Sequence, residues 1–140
     1  MQPLHSTDLA TVFIRAAAVI QTNGHHRNAF VAPACIADAQ GAYHVSPDEV
    51  SKRPVDVVGA IRIACGLLPT DETSHDADAA IEFAGEHLPG RAPMQFGEPD
   101  QVEELAGWND FEVKSAQDVV GRLLRWSGEA AVAAQKQVAA

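Results

Sequence analysis

Apolar residues near the N-terminus recur every three or four positions, which is the spacing of one face of an α-helix. Ser6–Thr7 precedes this run as an N-cap with Asp8 in the first turn, and Asn23-Gly24 follows it as a C-cap. The pattern therefore predicts a first helix that starts near Ser6–Thr7 and ends at Asn23-Gly24. Its apolar face consists of Leu9, Phe13, Ala16, Ala17 and Ile20.

The pattern changes after this helix, where short apolar runs flank a turn signal at Asp38–Gly41. We expect Phe30-Val31 and Tyr43–Val45 to form the two short strands of a small β-hairpin near residues 28–45. Pro33 restricts the first of these strands to an edge, because proline cannot donate to a neighbouring strand.

The broadest apolar stripe of the chain lies between Pro54 and Cys65 and predicts its most buried helix. A capping box at Ser46–Glu49 predicts a short helical turn before it. Asp56 and Arg62 lie off the stripe. The stripe itself consists of Val57, Val58, Ile61, Ala64, Cys65 and Leu68.

Three more helices are predicted in the second half of the chain. The first starts at Thr73 or Ser74 and runs to His87, the second runs from Pro99 to about Ala106, and the third starts at Ser115 and is broken by Gly128. The residues expected to face the core are Ala80, Ile81, Ala84, Leu88, Val119, Val120, Leu123, Leu124 and Trp126.

These elements predict a mainly α fold, with one domain spanning residues 1–140. We expect a single compact bundle of five or six helices, packed around the central helix, with the small hairpin near residues 28–45. The length is sufficient for one hydrophobic core. Residues 128–140 are either a docked terminal helix or a frayed tail.

The sequence favours a cytoplasmic protein without a membrane partner. No apolar run approaches the length of a transmembrane helix, and the N-terminus does not have the pattern of a secretory signal. Cys35 and Cys65 have no C-x-x-C spacing, so we expect two reduced thiols. A single bridge between them stays open until their geometry is known.

Charge is distributed unevenly along the chain. The net charge is −9, and the segment from Asp71 to Glu104 carries ten acidic residues and one basic residue, whereas the remainder carries nine of each sign. Phosphate contact requires a basic patch, so direct nucleic-acid binding is not expected. The acidic segment is either a solvated helix face or a surface for a basic protein partner.

Acidic side chains within this segment recur at helical spacing. Asp78, Glu82 and Glu86 fall on one side of a predicted helix, and Glu103 and Glu104 follow on the next. Such a stripe is usually the wet side of an amphipathic helix, but it can also bind a partner or a divalent cation. These five residues are candidate binding residues.

The standard phosphate-binding and catalytic motifs are absent, which favours a non-enzymatic protein and predicts no cofactor. The best remaining metal ligands are His25, His26 and His44, which the predicted hairpin could bring together. Their spacing matches no zinc template, and a solvent-facing polar edge explains the same residues. A small metal-binding protein or enzyme is therefore an alternative prediction.

Trp108, Asn109 and Asp110 form the richest short motif of the chain. Asn and Asp favour turns because their side chains bond to local backbone amides, and an indole requires burial together with a partner for its N–H. The motif predicts a turn packed on the core by Trp108. The functional interpretation is the polar floor of a binding pocket.

Four short motifs of the chain form a recognisable series: Ala16–Ile20 with Gly24, Gly59–Ile61, Trp108–Asp110 and Val119–Leu124. In these motifs the chain resembles a family of small uncharacterised actinobacterial proteins, known only as a domain of unknown function. Members often have Trp where this chain has His25, and Cys where it has Asp56. The resemblance covers roughly residues 9–127 and implies a mostly helical fold with no assigned activity.

The leading functional prediction is a non-enzymatic interaction or regulatory module that presents the acidic surface of residues 71–104 to a protein partner. A homodimer is one arrangement compatible with this prediction. An acidic nucleic-acid mimic, which occupies the site of a DNA-binding partner, is a third prediction.

Overall fold

The computed structural model describes residues 8–31, 50–70, 73–89 and 100–139. The prediction of a mainly helical fold is confirmed, because these residues form five α-helices and one π-helical turn and contain no strand longer than a single bridge. None of the helices in these ranges is long and apolar enough to cross a membrane. The elements are α1 (Leu9–Asn23), α2 (Val57–Ala64), α3 (His75–Glu86), α4 (Gln101–Gly107), the π-helical turn (Trp108–Glu112) and α5 (Ala116–Ala139).

Short polar side chains set the starts of the first four helices. Asp8, Asp56, Ser74 and Asp100 each accept a hydrogen bond from the backbone amide three residues further on. Such caps satisfy amides that have no partner within the helix. Asp8 was expected in the first turn of α1 but is its N-cap, so the predicted start near Ser6–Thr7 is wrong. Gly24 ends α1 as predicted, with φ of 98° and its N–H bonded to the carbonyl of Ile20.

The core centres on α1, which packs along α5 and also against α2. Every residue from Val57 to Arg62 is buried, which confirms α2 as the most buried helix. Trp126 is fully buried on α5, with its ring centroid 5.7 Å from that of Phe13 on α1. Its indole N–H donates to the carbonyl of His87 at 3.3 Å, so the one polar atom of this side chain is satisfied.

Two predictions for the last helix are wrong. The helix α5 continues through Gly128 to Ala139, and Leu124, expected to face the core, is 48% exposed. Glycine in a helix interior costs only about 1 kcal/mol, which the burial of Trp126 and Ala130 on either side offsets. The backbone is helical through Ala139, and most of the described side chains after Ala130 are exposed.

The small β-hairpin near residues 28–45 is not supported. Val31 forms one antiparallel bridge with Val55, and His25 forms one parallel bridge with the same residue. The apolar run at Phe30-Val31 therefore pairs with the chain just before α2 and not with a second hairpin strand in the described residues. Tyr43–Val45, the turn at Asp38–Gly41 and the helical turn at Ser46–Glu49 lie outside the described residues.

Asp56 and Arg62, which lie off the predicted apolar stripe, are both buried, with 1% and 8% of their surfaces exposed. The guanidinium of Arg62 lies 4.7 Å from the centre of the Phe30 ring and donates to the carbonyls of Pro69 and Thr70. It therefore joins the segment before α2 to the segment after it.

Candidate binding surface

Asn109 of the π-helical turn is completely buried, and its side-chain amide makes four hydrogen bonds. Its Oδ1 accepts from the backbone N–H of Val57 at 3.0 Å and lies 2.6 Å from Nε2 of His25. Its Nδ2 donates to the carbonyl of His26 and to Oδ1 of Asp110, both at 3.0 Å. These bonds use the full capacity of the amide, so the π-helical turn, the start of α2 and the segment after α1 are held as one unit.

Neighbouring residues add to this attachment. The backbone N–H of Asn28 donates to the Asp110 carboxylate at 2.8 Å, and the Arg27 guanidinium donates to the carbonyl of Val113. Asn28 has a φ of 70°, a left-handed conformation that asparagine tolerates better than most residues. In place of the predicted turn held by local backbone amides, Trp108–Asp110 begin a π-helical turn that follows α4 directly. Asn109 and Asp110 fix this turn to α2 and to the segment after α1.

The same geometry sets the protonation of His25. Because Oδ1 of Asn109 is an acceptor, Nε2 of His25 carries the hydrogen. Burial lowers the pKa of His25 below 6.5, against the opposing effect of the hydrogen bond to Asn109. The side chain is therefore a neutral donor at pH 7.

The described residues include two of the three predicted metal ligands, His25 and His26. Nε2 of His25 is occupied by Asn109, and His44 lies outside the described residues. Within the described ranges no group of three or more His, Cys, Asp or Glu side chains is placed to hold a metal ion.

Cys65 is a free, half-buried thiol at the end of α2. Burial raises its pKa to about 11, so the thiolate that acts as a nucleophile is scarce at neutral pH. Cys35, the other cysteine, lies outside the described residues.

Acidic side chains of α3 line an open groove between α3 and α4. Asp78, Glu82 and Glu86 are exposed along one side of α3, and Asp100 lies opposite them at the start of α4. Ile81 and Val102 supply apolar surface to the same groove, and Gln101 completes its lining. The described lining residues thus comprise four carboxylates and neither lysine nor arginine. We call this surface the acidic groove.

Glu103 and Glu104 do not line the acidic groove. They border a second cleft, between α4, the π-helical turn and the end of α3, which we call the Phe111 cleft. Phe111 is 83% exposed, the largest exposed fraction among the large apolar side chains of the described ranges. The other residues of the cleft are Leu88, Pro89, Gly107, Trp108 and Glu112.

The eight predicted binding residues therefore divide among three environments. Asp78, Glu82 and Glu86 line the acidic groove. Glu103, Glu104 and Trp108 line the Phe111 cleft. Asn109 and Asp110 fix the π-helical turn through their hydrogen bonds. Phe111 was missed by sequence reasoning. Its one signal in the sequence is its position directly after Trp108–Asp110. Hydrophobic periodicity does not reveal it, because a π-helical turn follows neither the helical nor the strand period.

Comparison of the chain with curated proteins and with solved structures finds no match. A family model matches residues 5–127, a range that includes α1 to α4, the π-helical turn and the first part of α5. The predicted resemblance to an uncharacterised domain of unknown function is thereby confirmed, whereas actinobacterial origin stays a prediction. The chain belongs to the family of unknown function DUF6197.

Proposed function

We propose that this chain is a protein-interaction module whose acidic groove receives a basic segment of a partner protein. One observation carries the proposal: three carboxylates of α3 and the N-cap carboxylate of α4 line one groove that also has apolar surface. A solvated helix face needs no such convergence, because its charges point outward from one helix. The residues concerned are Asp78, Glu82, Glu86 and Asp100, with Ile81 and Val102 between them.

Electrostatics favours a basic occupant. Like charges four residues apart on a helix repel each other by a few tenths of a kcal/mol, and Glu82 stands in this relation to both Asp78 and Glu86. A lysine or arginine of a partner offsets the repulsion between these carboxylates, and long-range attraction raises the rate of association. Thr73 donates a hydrogen bond to Asp78, so Glu82 and Glu86 are the better positions at which to test the groove.

The net charge of −9 disfavours direct binding to nucleic acid, and it disfavours a homodimer built by facing two acidic grooves. A homodimer through another face and a cytoplasmic location remain part of the proposal. If the chain is an acidic nucleic-acid mimic, its acidic groove occupies the DNA site of a DNA-binding partner. Competition between DNA and this chain for that partner distinguishes this function from the others.

Selection from a random-peptide library on the intact chain tests the proposal. We expect enriched peptides to be rich in lysine and arginine, and to bind the Glu82→Gln/Glu86→Gln variant about tenfold more weakly, which is about 1.4 kcal/mol. Glu129→Gln is the control for loss of a carboxylate elsewhere, since Glu129 lies on α5, is paired with Arg125 at 3.2 Å and does not line the groove. Enriched peptides without basic residues, or equal binding to both variants, would overturn the proposal.

A further inference from the structure

We infer that Phe111 is the contact residue of a second docking site, which receives an apolar side chain flanked by lysine or arginine from a partner protein. The inference rests on the proposed role as a protein-interaction module. It adds a site that other residues of α4 line than those of the acidic groove, and it specifies the chemistry of the residue that binds there.

Single exposed apolar residues are common on protein surfaces and by themselves have no functional meaning. Phe111 differs because its neighbours in the chain are fixed. Asn109 is fully buried with four hydrogen bonds, Asp110 accepts from Asn28, and the N–H of Val113 closes the turn on the carbonyl of Trp108 at 3.2 Å. The backbone therefore presents the Phe111 ring to solvent in a defined place, which lowers the entropy lost when a partner binds.

Apolar surface adjoins the ring. Leu88, Pro89 and Trp108 line the same cleft, and the Trp108 ring packs on Trp126 at a centroid distance of 5.6 Å. An aromatic residue beside a cleft of fixed apolar groups is the usual composition of an interface hot spot. A π-helical segment within a helical region is also frequently found at a functional site.

Charge at the cleft determines the kind of partner. Glu103 and Glu112 are exposed and line the cleft with Phe111 and Glu104, and the described lining residues include neither lysine nor arginine. Arg122 and Arg125 line an adjoining cleft instead. A second copy docked by the same cleft brings these carboxylates against their equivalents, and an anionic lipid surface repels them. A basic amphipathic segment instead places its apolar side chain against Phe111 and its cationic groups beside Glu103 and Glu112.

Binding of a synthetic amphipathic peptide of leucine and lysine tests this site, with tryptophan fluorescence and nitrogen-15 NMR shifts of the cleft residues as readouts. We expect Phe111→Ser to weaken binding about tenfold. Leu124→Ser is the matched control, because Leu124 is a half-exposed apolar residue on α5 and its loss leaves the cleft intact. The same peptide with serine in place of leucine is expected to bind both variants and the unmodified chain equally.

Equal binding of the leucine–lysine peptide to Phe111→Ser and to the unmodified chain would overturn the inference. Binding to vesicles of zwitterionic lipid that is lost in Phe111→Ser would also overturn it, because the ring would then serve a lipid surface. Loss of binding in Glu82→Gln/Glu86→Gln alone would support the acidic groove and refute the Phe111 site. Loss in Phe111→Ser alone would support the Phe111 site and refute the groove.

Discussion

The backbone N–H of Val57 donates to the side-chain oxygen of Asn109 across 3.0 Å, which joins the first residue of α2 to the π-helical turn 52 residues later. The same oxygen receives the Nε2 hydrogen of His25 at 2.6 Å. One amide therefore fixes the relative positions of three segments that are distant in sequence. The turn that carries Trp108 and Phe111 derives its rigidity from this amide.

We predict that Asn109→Ala destabilises the protein by about 2–4 kcal/mol, because it leaves the buried N–H of Val57 and the carbonyl of His26 without a partner. Urea unfolding measures the change. Gln117→Ala, an exposed substitution in the first turn of α5, is the control and is expected to change stability by less than about 0.5 kcal/mol. A similar loss in both variants would contradict a structural role for Asn109.

We predict that His25 is neutral at pH 7 and carries its hydrogen on Nε2. Burial lowers its folded pKa below the ordinary 6.5, so the unfolded chain takes up a proton first as the pH falls. Stability contributed by neutral His25 is therefore present above pH 6.5 and is lost as the pH falls towards the folded pKa. Nitrogen-15 NMR of the imidazole ring reports both properties. A hydrogen on Nδ1, or a midpoint at or above 6.5, would refute this assignment.

Asp56 gives the opposite dependence on pH. Burial raises its pKa to about 7, against the hydrogen bond from the N–H of Gly59 at 2.6 Å. Between about pH 4 and pH 7 the unfolded chain ionises Asp56 and the folded chain does not. This group therefore lowers the stability as the pH rises, by an amount on the order of 4 kcal/mol.

The Asp56→Asn variant tests this dependence, because asparagine caps a helix but does not ionise. We expect its stability relative to the unmodified chain to increase between pH 4 and pH 8, as measured by urea unfolding across that range. The ionisation of the other carboxylates cancels in the comparison. A difference that does not change with pH would show that Asp56 has an ordinary pKa.

Two helical glycines are predicted to respond with opposite signs to alanine. A Cβ on Gly59 of α2 meets the backbone oxygen of Phe30 at 2.3 Å and Val55 at 3.1 Å, and neither atom can move without displacing the segment before α2. A Cβ on Gly121 of α5 meets nothing within 4 Å. Gly59→Ala should therefore destabilise the protein, whereas Gly121→Ala should stabilise it by about 0.5–1 kcal/mol. Thermal unfolding of the two variants measures both changes. Stabilisation by Gly59→Ala would contradict the close approach of Gly59 to the backbone oxygen of Phe30.

The helices could be predicted from the sequence because their signals are local. The apolar spacing of α1 and α2 and the end of α1 at Gly24 follow from residues a few positions apart. Three of the four partners of Asn109 lie 52 to 84 residues away, so no local pattern reveals that its amide is the structural centre of the turn. The residue types of Trp108–Asp110 do not show that Asn109 is the fully buried member and that Trp108 and Asp110 are half-buried.

Burial of polar groups was harder to predict. Arg62 is buried because Phe30, Pro69 and Thr70 surround its guanidinium, and that arrangement exists only after folding. Periodicity correctly placed Glu82 and Glu86 on one exposed side of α3. It could not show that Asp100 lies opposite them across a groove, because that relationship depends on how α3 packs against α4.

The central claim, that the acidic groove binds a basic partner, is tested most directly by NMR titration of the intact nitrogen-15-labelled chain with the leucine–lysine peptide at low and at high salt. The account predicts shifts at Ile81, Glu82 and Val102 that weaken at high salt, because exposed charges are screened. Shifts confined to α1 and α5, or shifts at the groove that salt does not change, would contradict it.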